Sequence, residues 1–193
     1  MAYPKGLEWE VRSEGRDLYL TFDDGPIPEA TYWVLELLQN FNVKATFFCV
    51  GENVAKHPEV YQAVVDAGHA IGNHTYHHVK AWKTDSENYM EEVRLCNKQV
   101  ESKLFRPPHG QMTRKLASQL RTDYRIIMWT ALSGDFDRRL SGDDCLRNAV
   151  RHTKAGAILV FHDSVKALPR LQSALPRYIE HCLAEGFRFK TLI

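Results

Sequence analysis

Short runs of β-branched and aromatic residues alternate along the chain with longer amphipathic stretches. The runs predict strands over 17–22, 44–50, 70–73, 104–106, 125–129, 157–161 and 187–191. The stretches predict helices over 29–41, 58–67, 86–103, 113–120, 143–154 and 168–185. Strands that recur with helices between them pack as a parallel sheet. Ser86 and Thr113 precede helical runs, and Asp143 follows a glycine, so all three are cap candidates. Pro169 suits a first helical turn, whereas Pro176 is expected to kink or split its helix. No linker, repeat or low-complexity tract interrupts the pattern, and one domain over 1–193 is expected.

A chain of this kind folds as an open doubly wound sheet or as a barrel. Asp23-Asp24, His74, Arg106, Asp135 and His162 each fall at the C-terminal end of a different predicted strand. An open sheet gathers ligands at a switch point between a few strands. Chemistry contributed by many strand ends around one ring points to a barrel mouth. Seven predicted strands are one fewer than a full eight-stranded barrel, so closure is expected to be distorted or incomplete.

Composition narrows the partners. The chain is 44% hydrophobic and 25% charged, enough for a full core. Its 25 basic and 24 acidic residues give a net charge of +1, with no Lys/Arg run dense enough for nucleic acid or an anionic membrane. A neutral or weakly charged substrate fits better. No apolar run approaches the ~18 residues of a membrane span. The N-terminus has no apolar signal core, so either a cytoplasmic protein or one whose leader has been removed is expected. Cys49, Cys96, Cys145 and Cys182 are far apart and form no C-x-x-C pair, which predicts reduced, buried thiols.

Two adjacent acids, Asp23 and Asp24, end an apolar strand, and Gly25-Pro26 turns the chain straight after them. Asp, Gly and Pro are ordinary turn residues. Yet like charges at a strand tip repel, and a cation nearby usually neutralises them. His74-Thr75-Tyr76-His77-His78 offers imidazoles at i, i+3 and i, i+4, spacings that share a face if the segment is a helical turn. One carboxylate with two histidines is a facial set for a divalent metal that keeps positions open for water and substrate. The second carboxylate is then free to act as a base. In Arg106-Pro107-Pro108-His109-Gly110, the prolines supply no donors, so the first available N–H after Arg106 is that of His109. A rigidly placed N–H near a metal suits an oxyanion hole. Arg106 can hold Asp23 by a charge-assisted bond. His162 ends an apolar strand and is a general-acid candidate, although single strand-tip histidines are often structural.

Together these residues resemble the polysaccharide deacetylases of the NodB-homology type, carbohydrate esterase family 4. Five motifs recur in the family's order: TFDDGP at 21–26, His74-x-x-x-His78, Arg106-Pro-Pro-x-Gly110, Asp135-Phe136 and Leu159-x-x-His162. The resemblance implies a distorted (β/α) barrel that hydrolyses N-acetyl groups of N-acetylglucosamine-containing glycans such as chitin oligomers or peptidoglycan. It implies Asp23 as general base towards the attacking water and Asp24, His74 and His78 as metal ligands. Arg106 would orient Asp23, and the His109 backbone N–H would stabilise the oxyanion. His162 would protonate the leaving amine, tuned by Asp135. Leu159, Phe136 and Pro107 would line the substrate pocket. The implied metal is zinc, with cobalt or nickel as substitutes. The implied partner is an acetylated glycan, and a monomer is expected.

The chain departs from the family's pattern around the substrate groove. Val79 stands where proline is frequent, which bears on the choice between His77 and His78. His109 replaces a frequent tyrosine, Phe136 a common tryptophan, and Leu132 a frequent aspartate. An O-acetyl xylan esterase is an alternative that the same chemistry allows, and a catalytically silent carbohydrate-binding barrel is another. A silent barrel has no chemical need for both Asp23 and His162. The short loops of a 193-residue barrel predict a shallow, open groove.

Overall fold

The computed structural model describes residues 3–193. Its elements are β1 (Leu7–Glu8), β2 (Asp17–Asp23), α1 (Pro28–Asn40), β3 (Thr46–Cys49), α2 (Gly51–Lys56), α3 (Pro58–Asp66) and β4 (Ala70–Asn73). There follow α4 (Ser86–Asn97), β5 (Leu104–Phe105), α5 (Arg114–Leu120), β6 (Arg125–Ile127), β7 (Ala131–Leu132), α6 (Gly142–Arg151), β8 (Ile158–His162), α7 (Leu168–Ala184) and β9 (Arg188–Phe189). The strands lie in the order β1-β6-β5-β4-β3-β2-β8-β7, and β9 pairs with the start of β2. Every pairing between these strands is parallel, and one isolated antiparallel bridge joins Glu10 to Ala157. The sheet curls but its end strands do not pair. Residues 9–11 bridge the seam: Thr130 Oγ1 donates to the Trp9 carbonyl at 2.7 Å, and Val11 N–H donates to the Gly156 carbonyl at 2.9 Å.

Alternation along each strand sorts the core into an outer and an inner layer. Leu18, Leu20 and Phe22 of β2, with Leu159 and Phe161 of β8, face the helices in the main core. Phe48, Leu104, Ile127 and Ile158 pack together inside the curled sheet. Arg106 lies in this interior with no exposure. Its guanidinium donates to Asp23 Oδ1 and Thr21 Oγ1, both at 2.7 Å, and to the Met128 carbonyl at 3.0 Å. The Phe48 ring lies 4.1 Å beneath it. Burial pulls the Arg106 pKa down, and Asp23 opposes that pull. Breaking such a buried pair from one side typically costs about 3–5 kcal/mol.

Several expected elements differ. Nine strands appear among the described residues rather than seven, because β1 and β7 are two-residue strands too short to show a period. The helix expected over 86–103 ends at Asn97. Ser102 draws the chain away, donating to the Ile71 carbonyl at 2.7 Å and accepting from Leu104 N–H at 3.0 Å. Asp85, not Ser86, caps α4 by accepting from the N–H groups of Glu87 and Asn88. Ser141, not Asp143, caps α6 in a capping box with Asp144. Thr113 does cap α5. Pro176 does not split α7, which runs unbroken through it. Buried Ala174, Leu175, Tyr178 and Ile179 hold both sides of that proline against the core. All four cysteine thiols are free and buried.

Candidate metal centre and active site

The parallel register delivers the candidate residues to one mouth. Asp23 is paired with His162 across β2 and β8. Asn73 is paired with Phe105 across β4 and β5, so His74 and Arg106 leave adjacent strand tips together. The resulting cleft has a volume of ≈ 380 Å³ and is lined by Asp23, Asp24, His74, His78, Pro107, His109 and Gly110. Trp129, Leu132, Phe136, His162, Ser164 and Lys166 complete the lining. The Asp24 and His78 side chains remain about 30% exposed, so the cleft is open, as expected from the short loops.

Asp24 follows the strand with φ 82°. Its Oδ1 lies 3.2 Å from His78 Nε2 and 3.8 Å from His74 Nε2. All three ligand atoms lie within 4.8 Å of one another, close enough to share one ion. His74 Nδ1 is 2.7 Å from the Arg106 carbonyl, so that nitrogen carries the proton and Nε2 presents a lone pair. Burial lowers the His74 pKa to about 4, with a further push from His78, and the ring is neutral as a ligand must be. Burial works against ionisation of Asp24, but a hydrogen bond from His78 and the charges of His162, His74 and His78 outweigh it. Its carboxyl is held well below the ordinary range. Two imidazoles and an ionised carboxylate with an open side fit a divalent metal.

The segment carrying these histidines is a loop, not the helical turn that i, i+4 spacing suggests. Thr75 and His78 both have positive φ, at 61° and 54°. Asn73 sets the bend: its Oδ1 accepts from Thr75 N–H at 2.9 Å, while its amide donates to the Val93 carbonyl at 2.9 Å. His77 points elsewhere. Its Nδ1 lies 2.8 Å from Glu92 Oε1 and its N–H donates to Glu92 Oε2 at 2.8 Å.

The turn after Asp24 is pinned from below. Asp163 accepts from Gly25 N–H at 3.1 Å and from Thr31 Oγ1 at 2.6 Å. A Cβ at residue 25 would lie 2.0 Å from the Asp163 carboxylate, so only glycine fits there. Asn53 Nδ2 donates to the Asp24 carbonyl at 2.7 Å.

Across the cleft, Asp135 grips His162 twice. Its Oδ1 lies 2.7 Å from His162 Nδ1, and its Oδ2 accepts the His162 N–H at 2.8 Å. Burial opposes charge on this ring, but Asp135, helped by Asp24 and Asp23, outweighs it and raises the pKa to about 9. The Phe136 ring packs edge-on to His162 at 5.0 Å. Residues 108–110 form a single 3-10 turn in which Gly110 and Gln111 N–H groups close onto Pro107 and Pro108 carbonyls. Among the described residues the His109 N–H has no backbone partner, and its residue sits at φ 58°.

One expected pocket residue lies elsewhere. Leu159 is buried in the outer core against the helices, not in the cleft. It stands three residues before His162, and an odd offset in a strand puts the two side chains on opposite faces. Ser164 and Lys166 line the cleft without having been singled out in the sequence. Their only signal is position, just past the tip of β8, where a barrel's working loops begin.

A parallel barrel whose mouth joins a His/His/Asp cluster to two locked acid–base pairs has the parts of a metal-dependent hydrolase. The polysaccharide deacetylase family model matches residues 10–126, and the chain belongs to that family. A peptidoglycan-N-acetylglucosamine deacetylase of Bacillus cereus is 31% identical over 193 residues, covering 96% of this chain and 91% of its own. A chitooligosaccharide deacetylase of Rhizobium leguminosarum biovar trifolii is 31% identical over 191 residues, covering 95% of this chain and 84% of its own. The crystal structure of the Bc1960 peptidoglycan N-acetylglucosamine deacetylase superposes with a TM-score of 0.90 at 29% identity, covering 97% of this chain and 91% of that one. The distorted barrel expected from the strand-end pattern is therefore the fold of the family.

Proposed function

We propose that this chain is a metal-dependent N-deacetylase that releases acetate from N-acetylglucosamine units of oligo- or polysaccharides, with peptidoglycan and chitin oligomers as the substrate class. The observation that carries this reading is the meeting, in one cleft, of the Asp24/His74/His78 cluster with an arginine-locked Asp23 and an aspartate-locked His162. Asp24, His74 and His78 would hold the metal, which when bound would supply Lewis acidity to the acetamide carbonyl and lower the pKa of water towards ~7. Zinc suits the two imidazoles and one carboxylate best, and cobalt or nickel would serve as substitutes.

The remaining residues bind, orient and move protons. Asp23 takes the proton of the attacking water, and Arg106 fixes the direction of its free oxygen. The His109 N–H donates to the oxyanion. Leu132, Phe136 and Pro107 give the acetyl methyl an apolar wall. His162, protonated by virtue of Asp135, gives its Nε2 proton to the leaving amine.

The test is acetate release from N-acetylglucosamine oligomers by chelated protein, with and without added zinc. Release that requires zinc is expected. No release despite one bound equivalent of zinc would contradict the N-deacetylase reading, and acetate release from acetylated xylan would then identify an esterase.

A further inference from the structure

We propose that the catalytic cleft continues as an aromatic track over Trp129, Trp9 and Tyr3, which carries the sugars beyond the one being deacetylated. This rests on the deacetylase reading and adds an extended, β-linked glycan chain as the occupant. The track begins inside the cleft, where Trp129 is a wall. Gly110 leaves room for it: a Cβ there would lie 2.5 Å from the indole ring.

Trp9 is brought alongside by strand register. Leu7 and Glu8 pair with Ile126 and Ile127, and Met128 N–H donates to the Glu8 carbonyl at 2.7 Å. Trp9 thus leaves β1 at the mouth, level with Met128-Trp129, and the bond from Thr130 Oγ1 to its carbonyl fixes it there. The Trp9 and Trp129 ring centroids are 6.2 Å apart, and those of Trp9 and Tyr3 are 4.8 Å apart. These spacings are comparable to the repeat of a β-linked sugar chain. Interplanar angles of 64° and 69° keep the rings from lying flat on one another.

These two outer rings pack edge-on to one another and to Trp129 rather than into the body of the fold. Neither Trp9 nor Tyr3 joins any of the three hydrophobic cores. Tyr3 is 50% exposed. Pyranose rings present apolar C–H faces and polar hydroxyl rims. A row of tryptophan and tyrosine answers both, with apolar faces and an N–H or O–H at the edge. Continuity with the cleft through Trp129 gives the row a direction, outward from the reacting acetamide.

The experiment compares kcat/KM for the N-acetylglucosamine dimer and pentamer in wild type, Trp9→Ala, Trp9→Phe and Tyr3→Ala, with pentamer binding measured by calorimetry on the same proteins. Trp9→Ala should lower the pentamer-to-dimer ratio about tenfold through KM (~1.4 kcal/mol). Trp9→Phe should restore most of it, and Tyr3→Ala should lower it by a smaller factor. An unchanged ratio, or an equal fall for both oligomers, overturns the track. Wild type that releases no acetate from either oligomer contradicts the deacetylase reading instead. In that case the calorimetry decides: weaker pentamer binding by Trp9→Ala and Tyr3→Ala supports the track, and unchanged binding overturns it.

Discussion

The two sides of the cleft treat histidine in opposite ways. On the metal side, His74 is buried against a backbone carbonyl, and its pKa falls to about 4. On the other side, His162 is also buried, but against a carboxylate that grips it twice, and its pKa rises to about 9. Burial disfavours charge on both rings. The partner decides the outcome: a neutral acceptor fixes a tautomer and leaves a lone pair, whereas a buried anion holds a proton in place. One ring is thereby left with a lone pair that a metal could take up, and the other with a proton it could donate.

The largest break in this comparison is on the metal side. His74→Ala or Asp24→Ala should reduce bound zinc to background, with acetate release falling alongside it. Elemental analysis of the purified variants checks this, and zinc retained at one equivalent would remove either residue from the ligand set.

Asp135→Asn should be the next largest. Without the carboxylate, the His162 pKa falls from about 9 towards its ordinary ~6.5. The proton-donating form is the one present below the pKa, so activity is lost as pH rises through it. The alkaline limb of the pH–rate profile should therefore move down, costing at least about tenfold at pH 8. Histidine titration by NMR reads the same shift directly. Zinc loading of the wild type should lower the His162 pKa as well, because the cation offsets Asp24 and Asp23. The pair also links to stability with a definite sign. Its contribution is present below ~6.5 and fades as pH rises through about 9.

Asp163→Ala tests the pin beneath the turn. It strands the Gly25 N–H and the Thr31 hydroxyl, a cost of about 1–3 kcal/mol readable as a lower Tm. Smallest of all is His77→Ala, which removes contacts to Glu92 and the Tyr76 ring and should retain zinc. Zinc lost from His77→Ala but kept in His78→Ala would exchange the two histidines.

Much of this site is legible in the sequence, because a parallel barrel puts its working residues where strands end. Asp23, Asp24, His74, Arg106 and His162 could be read as strand tips, and they do meet. What was not legible depended on contacts distant in sequence. The helical reading of residues 74–78 failed because Asn73 bends the chain through a bond to Thr75 and an anchor on Val93, twenty residues away. Leu159 was misplaced although the needed rule was local, since its distance of three from His162 assigns it to the outer face. Asp163 gave no signal, being an ordinary acid after a histidine until β8 sets it beneath the Gly25 turn. The two-residue strands β1 and β7 were invisible to periodicity, and β1 is what carries Trp9 to the mouth.

The most direct test of the account separates the two adjacent acids. Zinc content and acetate release should be measured together on Asp23→Asn. The account predicts one equivalent of bound zinc and turnover reduced by about a thousandfold, because the base is lost while the ligand set is intact. Zinc lost in step with activity would contradict it and assign the ligand role to Asp23.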